Sequence, residues 1–268
     1  MESYLLPTIH EVLQFSPITL EEMSGVKLMN RTDTKYVISL EQLTRLLHYA
    51  RAYYRVQETK AERLISYQTT YFDTTDWQML RAHTTGRKTR QKIRVRTYIG
   101  SELTFIEIKN KNNKGRTKKK RIEVTPDCHD LFSVEAFNYV ATNARYAPQK
   151  LSPAVRNSFK RITLVNNEMT ERLTIDLDLT LVNCRSQTEQ RLQNTVIVEV
   201  KRDGMQHSHI VDWLNREHIR KHGFSKYCYG ALLTDGTLPI GIMKKKMREL
   251  IKRHLIPVPF ASVHHWAA

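Results

Sequence analysis

Basic side chains alternate with apolar ones in the segment 92–96, which reads Lys-Ile-Arg-Val-Arg. Because successive side chains of a β-strand point to opposite faces, a strand here places Lys92, Arg94 and Arg96 on one face. Like charges held together repel each other, and they do so most strongly when they are shielded from water. This face is therefore either exposed to solvent or occupied by a strongly anionic ligand.

The same alternation recurs in other strand-like segments. Charged residues share one face of each of them: Glu107 and Lys109; Asp176 and Asp178; Glu199 and Lys201; Arg31, Asp33 and Lys35; and Arg161 beside Phe159. An ordinary half-exposed sheet, apolar inside and charged outside, explains this pattern. A sheet curled into a closed barrel with helices outside also explains it, because the charged faces then line the lumen.

Two features favour the barrel. The charged faces recur on essentially every strand, and the helices must cover some sheet face, most naturally the apolar one. Buried charges cost several kcal/mol each unless they are paired, so such a lumen requires a ligand. Arg and Lys bind phosphate oxygens, and carboxylates hold Mg²⁺ or Mn²⁺. The mixture therefore fits a polyphosphate chain with a divalent metal.

The composition agrees with an anionic partner. The chain of 268 residues has 43 Lys and Arg against 27 Asp and Glu, a net charge of +16. This balance predicts attraction to nucleic acid, anionic lipid or phosphate-rich small molecules, without choosing among them. Three widely spaced cysteines predict neither a disulfide framework nor a zinc site. With no signal peptide pattern and no run of roughly 20 apolar residues, we expect a cytoplasmic protein, associated with a membrane only through a partner.

The elements that must position these side chains are mostly strands. Periodicity predicts strands at 32–39, 63–74, 91–99, 103–110, 117–124, 154–165, 171–182 and 194–200, and helices at 40–54, 76–84, 129–144, 208–222 and 241–253. Asp73 and Thr74 are expected to cap the helix at 76–84, and the composition of 111–115 predicts a turn. This order favours an α+β fold built on a large antiparallel sheet or barrel. We expect a single domain over 1–240, followed by a basic C-terminal helix and tail over 241–268.

Nine short motifs occur in an order known from one family: DTKY, YFDT, KIRVR, FIEIK, GRTKKKR, FKR, TID, VEVK and FSKY. Across about residues 28–230, the chain resembles the VTC (vacuolar transporter chaperone) polyphosphate polymerase domain of the triphosphate tunnel metalloenzyme superfamily. The resemblance implies a closed antiparallel eight-stranded β-barrel, a tunnel, with helices packed outside. It also implies a polyphosphate polymerase that transfers the γ-phosphate of ATP onto a growing inorganic polyphosphate chain, with Mn²⁺ or Mg²⁺ as cofactor.

The resemblance extends to single residues. It implies catalytic phosphate contacts for Lys35, Arg94, Arg96, Lys109, Arg161 and Lys226, and metal coordination for Glu199. It implies substrate binding for Lys119, Arg121, Lys201 and Ser225, to which the shared strand faces add Lys92, Glu107 and Asp176. Phe159 stands where the family's Tyr-x-Arg motif often has Tyr, which removes a hydroxyl group and keeps the charge of Arg161. The register of 116–121 stays open, because the run of basic residues there can be aligned in two ways.

The sequence leaves other functions open. A related branch of the superfamily, with cyclase and triphosphatase activity, has Glu-x-Glu-x-Lys where this chain has Arg31-Thr-Asp-Thr-Lys35, which favours the polymerase branch. A tripolyphosphatase, or a non-catalytic sensor of polyphosphate or inositol phosphates, remains an alternative. Nucleic-acid binding is a further one, since 86–121 contains 14 Lys and Arg residues. It is disfavoured because only Tyr98 and Phe105 are available there for base stacking.

The C-terminal segment 244–255 forms a basic amphipathic pattern. Such a helix is either solvated on its charged side or docks to an acidic or membrane-bound partner. We therefore expect ATP and polyphosphate as ligands, and we carry forward a membrane-protein partner at this helix as a hypothesis.

Overall fold

The computed structural model describes residues 3–25, 31–101, 103–125, 133–204 and 206–259. Its strands are β1 (Pro17–Ile18), β2 (Arg31–Ile38), β3 (Tyr54–Gln57), β4 (Ile65–Thr74), β5 (Arg90–Tyr98), β6 (Leu103–Lys111), β7 (Thr117–Val124), β8 (Leu151–Asn166), β9 (Glu171–Asn183), β10 (Glu189–Leu192) and β11 (Val196–Asp203). Its α-helices are α1 (Leu6–Leu13), α2 (Leu40–Ala50), α3 (Gln78–Thr84), α4 (Val134–Asn143), α5 (His209–Arg216), α6 (Lys226–Thr234) and α7 (Met243–Lys252).

The strands pair in the order β2-β11-β9-β8-β4-β5-β6-β7, while β1 pairs with β3, β3 with β8 and β10 with β9. The predicted α+β class and antiparallel sheet are confirmed. The prediction of a closed eight-stranded barrel is wrong. In the described ranges the sheet has eleven strands, and its terminal strands β2 and β7 are not paired with each other.

The two terminal strands carry features that oppose closure. On β7, Lys118 and Lys120 are exposed, and exposed lysines on an edge strand disfavour the addition of another strand. On β2, the carbonyl group of Lys35 accepts a hydrogen bond of 2.8 Å from the backbone N–H of His222. That part of the edge is therefore occupied by the segment before α6.

The chain packs as two compact units. The first contains Met1–Ile65, Lys160–Asp178 and Gln193–Phe224, and the second contains Ser66–Phe159, Leu179–Leu192 and Ser225–Ala268. The single domain expected over 1–240 stays a prediction. Helix α7, expected to follow that domain, is part of the second unit.

In the first unit, helices cover the apolar side of the strands. Helix α2 begins with a capping box, in which the Ser39 hydroxyl accepts from the backbone N–H of Gln42 and the Gln42 side chain accepts from that of Ser39. Its apolar side chains share one buried core with those of β2, β9, β11 and α5, among them Leu43, Leu46, Leu47, Tyr36, Ile175, Val198 and Trp213. The charged side of these strands therefore faces away from the helices.

The second unit repeats this arrangement around β4, β5 and β6. Its core joins Phe72, Ile93, Val95, Ile106 and Ile108 of the sheet to Met79 of α3 and to Ala136 and Val140 of α4. The predicted turn between β6 and β7 is present: the backbone N–H of Asn112 donates to the carbonyl of Arg116 at 3.0 Å. Gly115 has a φ of +80°, a conformation that favours glycine.

Asp73 fastens helix α3 to the end of β4. Its carboxylate accepts hydrogen bonds from the backbone N–H groups of Thr74, Met79 and Leu80, so the predicted cap is confirmed. The hydroxyl of Tyr227 in α6 donates to the same carboxylate. One buried side chain therefore fixes both α3 and the first turn of α6.

Helix α7 buries its apolar side. Met243, Met247 and Leu250 are buried in the structure, and the backbone N–H of Ile242 donates to the carbonyl of Thr84 at 2.9 Å. In the ranges that the structure describes, no helix is both long enough and apolar enough to cross a membrane. The hypothesis of a membrane-protein partner at this helix gains no support from the fold.

Candidate functional site

The register of the second unit brings the predicted basic residues onto one sheet face. Between β5 and β6 the direct pairs include Lys92–Lys109 and Arg94–Glu107, and between β6 and β7 they include Lys109–Lys119 and Glu107–Arg121. Directly opposed residues share a face. The register left open at 116–121 is thus resolved, with Lys119 and Arg121 on the same face as Glu107. We call the following set the Arg94 cluster: Lys92, Arg94, Arg96, Glu107, Lys109 and Lys119.

The central charges of this cluster are buried. The exposed fraction is 8% for Arg94, 9% for Arg96 and 0% for Glu107. These values exclude the simple interpretation in which the charged sheet face lies in solvent. The second unit therefore holds an excess of positive charge at a face that is largely removed from water.

The carboxylate of Glu107 is paired with the surrounding cations. Arg94 Nε donates to its carboxylate at 2.6 Å, and Arg94 Nη2 and Lys119 Nζ form ion pairs with it. Burial opposes ionisation of Glu107, but Arg94, Arg96 and Lys119 hold its pKa well below the usual range. The contacts indicate that Glu107 orients Arg94 and Lys119. The substrate contact expected of Glu107 stays a prediction.

Tyr71 of β4 is a site residue that sequence reasoning missed. It lies directly opposite Arg94, and its phenol oxygen accepts a hydrogen bond of 3.1 Å from Arg94 Nη1. Burial would raise the pKa of Tyr71, but Arg94, Lys92, Arg96 and Lys226 outweigh it and lower the pKa to about 7. The motif YFDT contains this residue, and its alternation with buried Phe72 was the available signal.

The pKa of the Lys109 ammonium group is also lowered, in this case mainly by burial. Burial and the nearby Arg94 lower its pKa to about 7, although Tyr71 and Glu107 act in the opposite direction. Lys109 is therefore only partly protonated near neutral pH in the absence of a bound anion. An anionic ligand beside it favours the charged form.

The beginning of α6 supplies the predicted Ser-Lys pair. The hydroxyl of Ser225 accepts from the backbone N–H of Cys228 at 3.2 Å and from Lys92 Nζ at 2.8 Å, so Ser225 positions Lys92. Lys226 Nζ lies 4.0 Å from the ring centre of Phe159. A tyrosine hydroxyl is not needed for this cation–π contact, which explains why phenylalanine is compatible with the site.

Arg121 differs from the buried Arg94 and Arg96 and resembles Lys119, which is also exposed. It is exposed, and its guanidinium carbon lies 4.6 Å from the ring centre of Phe105. It thus shares the face of the Arg94 cluster without being buried in it.

A second charged group lies in the first unit, where Glu199 is paired with Lys35 of β2 on one side and Thr174 of β9 on the other. Its carboxylate lies 3.1 Å from Lys201 Nζ and 3.7 Å from Lys35 Nζ, and Thr174 donates to it at 3.4 Å. Burial opposes ionisation of Glu199, but Lys35 and Lys201, followed by Arg161, lower its pKa to about 2. We call Lys35, Arg161, Asp176, Glu199 and Lys201 the Glu199 cluster.

Arg161 and Asp176 form a bidentate pair in this cluster. Arg161 Nε donates to Asp176 Oδ1 at 2.6 Å, and Nη2 donates to Oδ2 at 2.9 Å. Fork-shaped pairs of this kind fix a guanidinium group in one orientation. Asp176 therefore orients Arg161. The substrate contact expected of Asp176 stays a prediction.

The donor atoms around Glu199 limit how a metal can be held. The described part of the chain contains no group of three or more His, Cys, Asp or Glu side chains arranged for a metal ion. Glu199 offers one carboxylate beside two ammonium groups, which does not fit a divalent cation held by the protein alone. It fits a cation that arrives on phosphate oxygens, because Mg²⁺ commonly combines one or two carboxylates with substrate phosphates and water.

Several solved structures resemble the chain. They include a protein from Bacillus halodurans described as an adenylate cyclase (13% identity, TM-score 0.42), which covers 74% of this chain and 96% of its own. A protein from Hippeastrum, described as an adenylyl cyclase with a dominant triphosphatase activity, has 14% identity and a TM-score of 0.47 over 79% of this chain and 99% of its own. A conserved hypothetical protein from Pyrococcus furiosus has 12% identity and a TM-score of 0.38 over 71% and 94%.

No curated protein matches the chain. The sequence of residues 30–234 matches the model of the VTC domain. This match spans most of the chain and contains both charged clusters. The resemblance found in the short motifs is thereby confirmed, and the chain belongs to the VTC domain family.

Proposed function

We propose that the protein is a polyphosphate polymerase, which transfers the γ-phosphate of ATP onto the end of an inorganic polyphosphate chain. The observation that carries the proposal is the Arg94 cluster of a VTC domain, in which five cations and one carboxylate share a sheet face and Arg94, Arg96 and Glu107 are buried. Buried positive charge is costly unless anions compensate it. A chain of phosphates supplies such anions at regular spacing.

The residues of the cluster suit phosphoryl transfer, which depends on positioning and charge neutralisation. Arg94 and Arg96 would bind phosphate oxygens and stabilise the charge that spreads over the transferring group. Lys92 is held for the same purpose by Ser225. The terminal phosphate of the growing chain is already anionic, so its oxygen attacks the γ-phosphorus without a general base. The bond from the γ-phosphorus to the bridging oxygen then breaks, and ADP leaves.

The Glu199 cluster of the first unit contains cations and a carboxylate of its own. Lys35, Lys201 and Arg161 are suited to bind phosphate oxygens as well. Glu199 is the side chain that would hold Mn²⁺ or Mg²⁺ carried by the phosphates, and the ion would neutralise phosphate charge when bound. The proposal thus includes ATP, polyphosphate and a divalent cation, and a cytoplasmic location.

Incubation of the full chain with ATP and Mn²⁺ tests this proposal. We expect long polyphosphate, resolved by gel electrophoresis, together with ADP in proportion to the phosphate incorporated. Release of free phosphate without polymer would instead identify a triphosphatase. Retained polyphosphate affinity without turnover would identify a sensor, and preferential binding of single-stranded RNA would favour a nucleic-acid-binding protein.

Two neighbouring lysines of β7 offer a matched comparison. Lys119 contacts Glu107 on the face of the Arg94 cluster, whereas Lys120 on the opposite face donates to the Asn143 side chain at 2.7 Å. We expect Lys119→Met to lower kcat/KM about tenfold, because one charged contact is removed. Lys120→Met should change kcat/KM by less than about twofold, and equal losses in both variants would show that the face assignment is wrong.

A further inference from the structure

Tyr71 has a position that phosphate binding alone does not explain. Its ring is 6% exposed, and its oxygen accepts a hydrogen bond from Arg94, which is a candidate phosphate ligand. The guanidinium carbon of Arg94 lies 5.8 Å from the ring centre of Tyr71, and the ring centre of Tyr227 lies 5.2 Å from it. The phenol oxygen thus accepts a hydrogen bond from Arg94 Nη1, a donor that is expected to bind the substrate.

We propose that Tyr71 is a positioning residue: its phenolate pairs with Arg94 in the free protein, and it takes up a proton and yields Arg94 to a phosphate oxygen when a polyphosphate binds. The inference rests on the proposed function only in requiring that the Arg94 cluster binds phosphate chains. It does not require that the protein lengthens the polyphosphate.

The charges around Tyr71 favour a phenolate. Elements packed in this region contribute Lys92, Arg94 and Arg96 from β5, Glu107 and Lys109 from β6, Lys119 from β7, Lys226 from α6 and His83 from α3. His83 is neutral, because burial and Lys92 lower its pKa to about 2. The hydroxyl of Tyr227 is committed to Asp73. Cations therefore outnumber the two carboxylates of this region, Glu107 and Asp73, and they lower the pKa of Tyr71.

A bound phosphate chain reverses this balance. Negative charge beside a phenolate raises its pKa, so the phenolate takes a proton from solvent and becomes a neutral phenol. The phenol no longer competes with phosphate for Arg94 Nη1, and its O–H becomes available to donate to a phosphate oxygen. Lys109 also takes up protons on binding, since its pKa is lowered in the free protein. A calorimetric proton count would therefore mix the two residues, whereas tyrosinate absorbance does not respond to Lys109.

The test is ultraviolet difference spectroscopy on the full chain, with inorganic tripolyphosphate as the probe. At about pH 8, above the lowered pKa of Tyr71, we expect most of this phenol to be ionised in the free protein. We expect a tyrosinate signal of about one residue per chain that tripolyphosphate largely removes. The signal should be lost in Tyr71→Phe and kept in Tyr98→Phe, which removes a phenol from the end of β5.

Three results would overturn the inference: no tyrosinate in the wild type at about pH 8, a signal that persists in Tyr71→Phe, or a signal that tripolyphosphate leaves unchanged. If Tyr71→Phe does not fold, the wild-type spectra still test the inference, because a missing tyrosinate signal or one that tripolyphosphate leaves unchanged overturns it. The proposed function is tested separately. If ATP yields no polymer but tripolyphosphate removes the tyrosinate signal, the polymerase proposal fails and the role of Tyr71 stands.

Discussion

Replacement of Arg94 by alanine is expected to abolish polyphosphate synthesis and to lower the free energy of unfolding by about 3 kcal/mol. Synthesis is lost because a central phosphate ligand is removed. Stability is lost because Glu107, fully buried, keeps its negative charge without its main partner. Polymer is measured by gel electrophoresis, and stability by urea unfolding monitored by circular dichroism.

The double variant Arg94→Ala/Glu107→Gln separates these two effects. A neutral amide at position 107 removes the unpaired charge, so most of the lost stability should return while synthesis stays absent. Additive destabilisation in the double variant would show that the two side chains do not depend on each other. Polymer formation at the wild-type rate in either variant would show that Arg94 does not bind the substrate.

The stability loss in Arg94→Ala should depend on pH. In the wild type the pKa of Glu107 is depressed, so this group stabilises the fold above its unfolded pKa, and the contribution disappears as pH falls through the folded value. In Arg94→Ala most of that contribution is missing. The difference in unfolding free energy between the two proteins should therefore be largest near neutral pH and should shrink below about pH 4.5. A difference that is constant with pH would contradict the ion-pair explanation.

Replacement of Glu199 by glutamine is expected to lower the rate of polymer formation on the order of a hundredfold and to raise the Mn²⁺ concentration for half-maximal activity at least about tenfold. Glu199 is the charged carboxylate that remains ionised beside Lys35 and Lys201. The amide keeps the shape of the side chain but loses the charge that attracts the cation. Activity is measured over a Mn²⁺ titration at saturating ATP.

Glu189→Gln is the matched control, because Glu189 is exposed on β10. It should reproduce the wild-type Mn²⁺ titration. A Glu199→Gln variant with reduced activity but an unchanged Mn²⁺ requirement would assign Glu199 to the placement of Lys35 and Lys201 and would remove it as a metal ligand.

The alternation of side chains was sufficient to predict the two charged faces. The period of two in β5 and β6 placed Arg94, Arg96 and Lys109 together, and the register confirms this. The cap at Asp73 and the turn before β7 also follow from local chemistry. Such features are encoded within a few residues, so a sequence pattern can detect them.

Features that depend on the tertiary environment could not be predicted from the sequence. Closure of the sheet was predicted from the charged strand faces and from the family resemblance, and neither of them reports how the edges of β2 and β7 are used. Helix α6 was missed because its residues are buried on all sides, so it has no apolar face to detect. Helix α5 was predicted to extend through 222 but ends at Arg216, close to His218 with a φ of +55°.

The roles of Tyr71 and Glu107 could be recognised only from their side-chain contacts in the structure. A tyrosine in a strand agrees with ordinary strand composition, and only the surrounding cations reveal its altered pKa. The predicted helix at 129–144 is observed as Val134–Asn143, and residues 129–132 of the prediction lie outside the described residues.

The spacing of paired strands along the chain has a consequence for the order of folding. Strands β5, β6 and β7 pair with their immediate neighbours in sequence. Strand β2 pairs with β11, so Lys35 and Glu199 are paired although they are far apart in sequence. Closing a longer loop costs more entropy, and local pairs form faster. A nascent chain emerging from the ribosome would therefore pair β5, β6 and β7 before residue 199 has been synthesised.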